Sequence, residues 1–332
     1  MLREYWRGKL SASEQKIYDD MLAVFCRYKE EVSCGNLTAE ACQRVYAAVT
    51  DDHPELFHLP CMFVIGSTTG LFGTNTTLRI NNLFDEVRIR AIKQQIDYLC
   101  NKLATRLGAA QASLDKEQYV CEYLVDNVTY EINNELNQNA ATVLCQHKGQ
   151  CSGIARATKL LLESLGVETI VVNGTATDTS TGQVSAHAWN IVNIDGGYFH
   201  LDVTFMIGAN MRKVKPYRFA YFNYSDKDIA TDHVWDEGST PTCNGTLYFT
   251  GNNVEVVTRP SVTISSPFEL KTRLTKAIVA GEQRLIFQSK LQMQPEQLLS
   301  SVEKCCRSVT FLLGKNCAMN IAIHGDVVTI SW

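Results

Sequence analysis

Residues 149–166 read GQCSGIARATKLLLESLG, and residues 185–205 read SAHAWNIVNIDGGYFHLDVTF. The first stretch predicts a helix that opens at Cys151 and stops near Gly166, a natural C-terminal breaker. VETIVVNG, residues 167–174, predicts a strand. The second stretch predicts two more strands, SAHAWNIVNI and YFHLDVTF, parted by Asp195-Gly196-Gly197, which is strong hairpin punctuation. A helix running into antiparallel strands gives an α+β core.

Cys151 stands at the mouth of that helix. The positive end of the helix dipole stabilises a thiolate there and lowers the thiol pKa. The same free backbone N–H groups can receive an oxyanion, and the small Ser152 and Gly153 leave the sulfur open. Taken alone, Cys151 is one cysteine among twelve, and buried structural cysteines are common. His187 changes the reading. It opens HAWNIV between two alanines, and an imidazole there can take the thiol proton and return it to a leaving group.

Parity then selects Asp202. With Asp195 and Gly196 as the turn, Trp189 lies opposite Asp202, and His187 is a diagonal neighbour on the same face. A Gly196-Gly197 turn keeps the same-face relation, whereas a three-residue turn reverses it. Diagonal pairs lie about 7–8 Å apart at the backbone, within reach of inclined polar side chains. A carboxylate between Leu201 and Val203 in an apolar strand calls for a specific partner. Asp202 can fix the imidazole tautomer that faces Cys151.

These residues carry a resemblance. The order Cys151, His187, Asp202, with HAWN and LDVTF as the most distinctive pieces, resembles the transglutaminase-like superfamily, especially its bacterial transglutaminase-like domain proteins. The similarity extends over about 115–236, from KEQYVCEYLVDNVTYE to the Asp-His segment of YFNYSDKDIATDHVW. It implies a papain-like transglutaminase core with Cys151 as nucleophile, His187 as base and Asp202 as third member. Trp189 matches an aromatic residue common just after the histidine. Gln146, Tyr130 and Trp189 are the candidates for the oxyanion donor or the substrate wall. The approach Gly149-Gln150-Cys151 departs from the Gly-Val-Cys of many relatives. No family is recognised in the last eighty residues.

The rest of the chain is read around this core. Its 332 residues exceed one typical domain, and three parts are expected. They are a helical and mixed N-terminal region over 1–110, the transglutaminase-like core over 111–250, and a small α+β region over 251–332. Ser11 and Glu14 predict a capping box, and IYDDMLAVFCRY a helix broken near Pro54 and Pro60. MFVIG and TLRINNL predict short strands on either side of a loop, STTGLFGTNTT. Residues 83–109 and 115–131 predict helices, residues 132–150 a polar stretch, and 206–250 an aromatic, loop-rich segment. There Tyr217, Phe219, Tyr221, Phe222 and Tyr224 are read either as a substrate groove or as packing around the core. In the last part, RLIFQ and NIAIHGDVVTISW predict strands around a helical PEQLLSSVEKCCRSVTFLL.

Thirty-one basic and 35 acidic residues leave a formal charge of -4, which is no footprint for nucleic acid. No run reaches membrane-helix length, so no membrane insertion is expected. MLREYWRGKLSASEQKIYDDM has no apolar signal core, so the cysteines are expected to be reduced in a cytoplasm. No cofactor and no metal are expected. His53 and His58 lack a third ligand pattern, Asp232-His233 has no zinc spacing and Cys305-Cys306 no chelating separation. No EF-hand loop or phosphate loop is visible.

The expected chemistry is attack on a peptide or side-chain amide to give a thioester. Water then completes hydrolysis, or an amine acceptor completes transfer. Hydrolysis is favoured slightly for a cytoplasmic chain. The partner implied is a protein or peptide substrate. The competing class is a noncatalytic protein- or peptide-binding scaffold module, disfavoured because a scaffold has no chemical need of all three groups.

Overall fold

The computed structural model describes residues 4–70, 73–107, 112–132, 135–178, 181–211, 221–244, 262–282, 284–291, 293, 295–314, 319–324 and 327–332. The chain divides into two compact units, Met1–Asn244 and Gly245–Trp332. Among the described residues, no helix is long and apolar enough to cross a membrane.

The first unit opens with α1 (Ala12–Phe25), β1 (Glu31–Ser33) and α2 (Ala39–Asp52). Ser11 starts α1 with the expected capping box, its N–H donating to Glu14 at 2.9 Å. Tyr18, Met21 and Phe25 of α1 close on Val45 and Val49 of α2 in a dry core.

The stretch read as a loop after MFVIG is different. β2 (Val64–Gly70) and β3 (Gly73–Arg79) form an antiparallel hairpin, paired from Val64 and Arg79 to Gly70 and Gly73, with β1 on the other edge of β3. Its glycines and serine read as a loop, but alternating threonines suit a pleated surface. The Ser67 and Thr76 hydroxyls hydrogen-bond across the strands at 3.3 Å.

Next come α3 (Glu86–Leu107), α4 (Ser113–Asn127) and the two-residue β4 (Thr129–Tyr130). The polar stretch 132–150 contains a helix, α5 (Ala140–Gln146), started by Asn139, whose side chain accepts the Thr142 N–H at 3.0 Å. β5 (Lys148–Gly149) follows, parallel to β4, and delivers the chain to α6 (Cys151–Ser164). Gly166 ends that helix region at φ +82°, a conformation glycine adopts without strain.

The second sheet is antiparallel throughout, in the order β8-β7-β6-β9. It comprises β6 (Thr169–Thr177), β7 (Val184–Ile194), β8 (Gly197–Leu201) and β9 (His233–Trp235), with α7 (Val203–Met211) and α8 (Asp226–Ile229) between the last two. Asp195 and Gly196 make the turn, both at positive φ, so the register joins Ile194 to Gly197 and Asn190 to Leu201. That is the two-residue turn on which the parity reading of Asp202 depends.

The strand predicted through HLDVTF stops early. β8 ends at Leu201, and Asp202 caps α7: its Oδ1 accepts the Phe205 N–H at 2.9 Å and its carbonyl the Met206 N–H at 3.0 Å. Val203, Thr204 and Phe205 favour strands locally, but a capping aspartate and tertiary packing override that preference.

Buried polar bonds lock α6 in place. Asn190 of β7 donates to Ala155 O of α6 at 3.0 Å and to Ile170 O of β6 at 3.2 Å. Arg156 of α6 donates to Asp51 of α2 at 2.8 Å, and Asn173 of β6 donates to the same carboxylate at 2.7 Å. The Trp6 indole N–H donates to Val171 O at 2.8 Å. The N-terminal helices are therefore part of the scaffold that sets α6 against the sheet.

In the second unit, β10 (Thr263–Ile264), α9 (Pro267–Val279), β11 (Arg284–Ser289), α10 (Pro295–Leu312), β12 (Asn320–His324) and β13 (Val327–Ser331) form a sheet of order β10-β11-β13-β12 with two helices. Its core joins Leu270, Leu274, Phe287, Val302, Val309, Val328 and Ile330. The strands and helix expected from the sequence are present.

Candidate active site

The site lies where β8 stops. The last β7–β8 pair is Asn190 with Leu201, so the edge of β7 beyond it, at Ala188 and His187, is open on that side. Cys151, the first residue of α6, fills the opening. His187 and the backbone N–H groups of Ser152 and Ala188 are the neighbours that favour its thiolate. Burial pushes the thiol up, but the His187 hydrogen bond and charge and the two N–H donors outweigh it and bring the thiol below its ordinary value. The residue remains half-buried rather than sealed.

His187 uses Nε2 to bond Asp202 Oδ2 at 2.6 Å, which leaves Nδ1 as the nitrogen for the thiol. Burial opposes its charged form. The Asp202 carboxylate and the Cys151 sulfur prevail and raise its pKa to about 10. Asp202 is fully buried. Burial alone would raise its pKa, yet the charge and hydrogen bonds of His187, joined by His233, hold it well below the usual carboxylate range. Both shifts run in the direction of a thiolate beside an imidazolium.

The remaining candidates are placed as follows. Tyr130 pairs with Gly149 where β4 meets β5, two residues before Cys151, and is 37% exposed. Burial, then the negative charges of Cys151 and Asp202, raise its pKa, so its hydroxyl stays a donor. Gln146 ends α5 in an exposed position. Trp189 departs from the expectation of a substrate wall. It is fully buried, and its indole N–H is donated to His200 Nδ1 at 2.9 Å, leaving neither surface nor donor for an acyl group. Of the aromatic groove, Tyr217 and Phe219 lie outside the described residues. Phe222 is fully buried, and the Tyr221 hydroxyl is taken by Asp232 at 2.5 Å.

Sequence reasoning assigned no role to the groups behind Asp202. His233 of β9 bonds Asp202 Oδ2 through Nε2 at 3.0 Å and Asp232 Oδ1 through Nδ1 at 2.6 Å. The only signal was the Asp-His segment of the resemblance. β9 approaches because β6 has Gly174 there: a Cβ would lie 2.2 Å from Val234 O and 2.9 Å from the Trp189 ring.

On the far side of Trp189, His200, Asp226 and Cys243 also converge. An indole N–H can only donate, so His200 Nδ1 is the bare nitrogen and Nε2–H donates to Asp226 at 2.9 Å. That tautomer has no lone pair on Nε2 for a metal ion.

Residues 101–203 match the family model described as the transglutaminase-like superfamily, so this stretch, with Cys151, His187 and Asp202 inside it, is a transglutaminase-like domain in a mixed α/β chain. His233 and Asp232 lie beyond the matched stretch. Among solved structures, the chain is similar to a TGase, with 17% identity and a TM-score of 0.30 over 51% of this chain and 48% of the other. It is similar also to the periplasmic domain of TgpA from Pseudomonas aeruginosa, with 15% identity and a TM-score of 0.27 over 44% of this chain and 58% of that one. The chain thus spans about half the length of the first, and neither likeness is close enough to bring an activity with it. No curated protein matches the chain.

A cleft of about 450 Å³ lined by Phe57, Lys93, Ile96, Cys100 and Ser164 sits at the other end of α6, about 20 Å along the helix from Cys151. Its place separates it from the chemistry.

Proposed function

We propose that this chain is a cysteine-dependent enzyme that cleaves or transfers a peptide or side-chain amide through a thioester. The observation that supports the reading is the 2.6 Å bond between His187 Nε2 and Asp202, which occupies one imidazole nitrogen with a buried carboxylate and leaves the other available to Cys151.

Cys151 sulfur attacks the amide carbon, and the carbonyl π electrons move to oxygen. Backbone N–H groups at the start of α6 and the Tyr130 hydroxyl are the proposed donors to that oxyanion. Collapse breaks the C–N bond while the His187 Nδ1 proton passes to the departing nitrogen, leaving a thioester and ammonia or an amine. Water, deprotonated by His187, then releases a carboxylic acid and restores the thiolate; an amine in place of water gives a new amide. Hydrolysis is the outcome we favour, because water needs no second binding site. A reducing, cytoplasmic compartment belongs to the same proposal.

The test is the pH dependence of Cys151 alkylation by iodoacetamide, read by peptide mass spectrometry, in the native protein, H187A and D202N. Fast alkylation below the ordinary thiol pKa, lost in H187A, is expected. Ammonia release and fluorescent-amine incorporation with a glutamine-containing peptide pool then separate hydrolysis from transfer. Slow alkylation at an accessible Cys151, unchanged by either substitution, would sink the enzyme reading in favour of a binding module.

A further inference from the structure

His233 is a second buried imidazole on the same carboxylate oxygen as His187. Asp202 Oδ2 lies 2.6 Å from His187 Nε2 and 3.0 Å from His233 Nε2. Since a carboxylate oxygen only accepts, both nitrogens donate. The other nitrogen of His233 meets a second carboxylate, Asp232, at 2.6 Å. An imidazole that donates at both nitrogens is a cation. We infer that His233 is a positioning residue of the amide-cleaving site: a captive imidazolium that fixes the Asp202 carboxylate and shares its charge, so that His187 can release its proton during turnover. The inference rests on the function proposed above.

The surroundings are built for this. Tyr221 anchors both ends of the clamp: its hydroxyl donates to Asp232 at 2.5 Å, and its carbonyl accepts the Asp202 N–H at 3.0 Å. Trp189, Phe205 and Tyr221 pack their rings 4.9, 4.9 and 5.8 Å from the His233 ring. The burial of His233 and Asp202 themselves keeps water from screening the charges. The titratable groups facing His233 are Asp202, Asp232, Tyr221, His187 at 5.3 Å between ring centres, and His200 across Trp189. Burial opposes the charged form of His233, but hydrogen bonds to Asp202 and Asp232 outweigh it and raise its pKa.

The consequence concerns His187. The Asp202 carboxylate raises the His187 pKa and so makes its proton harder to give to a leaving nitrogen. A fixed positive charge at this distance offsets that hold. At an effective dielectric constant of about 20, a unit charge about 5 Å away moves a pKa by more than one unit.

The experiment is NMR titration of the histidine ring nitrogens in the full chain, native and with H233Q, D232N and D202N, together with the alkylation profile of Cys151. Glutamine keeps a donor toward Asp202 without the charge. The expected result is that H233Q raises the His187 midpoint by about one pH unit or more, a tenfold change in its ionisation constant. D232N, which leaves the clamp assembled but weakens the His233 cation, raises it less. Folding is checked in the same spectra. A His187 midpoint unmoved in folded H233Q and D232N, but lowered in D202N, overturns the role of His233 and leaves the Cys151–His187–Asp202 reading standing. A midpoint unmoved in D202N as well overturns both.

Discussion

Two carboxyl groups of the first unit, Asp202 and Glu117, are both fully buried, yet their surroundings shift them in opposite directions. Asp202 accepts from two imidazoles and a helix-start N–H and stays ionised. Glu117, inside α4, accepts the Asn223 amide at 3.0 Å, while its other oxygen and the Asn223 oxygen have no hydrogen-bond partner among the described residues. Burial pushes its pKa up to about 8, partly countered by Asn223, which favours the protonated form near neutral pH. Burial is common to both; the partners decide the charge. One short segment serves both groups, through Tyr221 and Asn223.

The strongest way to break this comparison is to neutralise Asp202. D202N keeps the size but removes the carboxylate that holds both histidines. Amide turnover is expected to fall by about 10²–10⁴-fold, by analogy with the serine-protease triad aspartate, measured with whichever peptide amide the screen identifies. Cys151 alkylation near pH 6 falls with it.

E117Q sharpens the other half. The folded pKa of Glu117 lies above the ordinary value of 4.5, so its contribution is fully present at lower pH and fades as pH rises to about 8. E117Q is therefore expected to gain stability over the native chain from pH 5 to 9, by a few kcal/mol at most, while the two converge at pH 4. Urea unfolding at these pH values reads the difference. Asp202 has the opposite sign: its depressed pKa stabilises the fold above about pH 4 and is lost on acidification. An E117Q–native difference independent of pH would show that Glu117 is not the protonated partner.

G174A tests whether β9 must approach closely for Asp202 to keep its second histidine. The added methyl meets Val234 O and Trp189. A loss of about 1–3 kcal/mol of stability is expected, with the His233 midpoint falling in the NMR titration. W189F gives the smallest effect. It strips His200 Nδ1 of its donor and should cost about 1 kcal/mol. The His200 midpoint, lowered by burial in the native chain, then rises because Nδ1 is free to accept a proton.

Much of the site was legible because it is local. Cys151 sits at a helix start that its own apolar periodicity announces, and the Asp195-Gly196 turn sets the register that carries Asp202 back toward His187. The hairpin β2–β3 was not legible, since Gly, Ser and Thr signal a loop unless their cross-strand partners are known. The end of β8 was missed for a related reason: Asp202-Val-Thr-Phe reads as strand until the aspartate is seen capping α7. Trp189 looked like a substrate wall because a sequence does not say which side of an aromatic residue is covered.

By itself the sequence pointed to the α+β core, the helix that opens at Cys151 and a tight turn within Asp195-Gly196-Gly197, and it nominated Cys151, His187 and Asp202. Those follow from periodicity, turn chemistry and parity, which operate over a few residues. Only the tertiary structure decided the charge of each buried group. That depends on which side chain, 15 or 31 residues away in the chain, comes within 3 Å once water has been excluded, and no local rule encodes that distance.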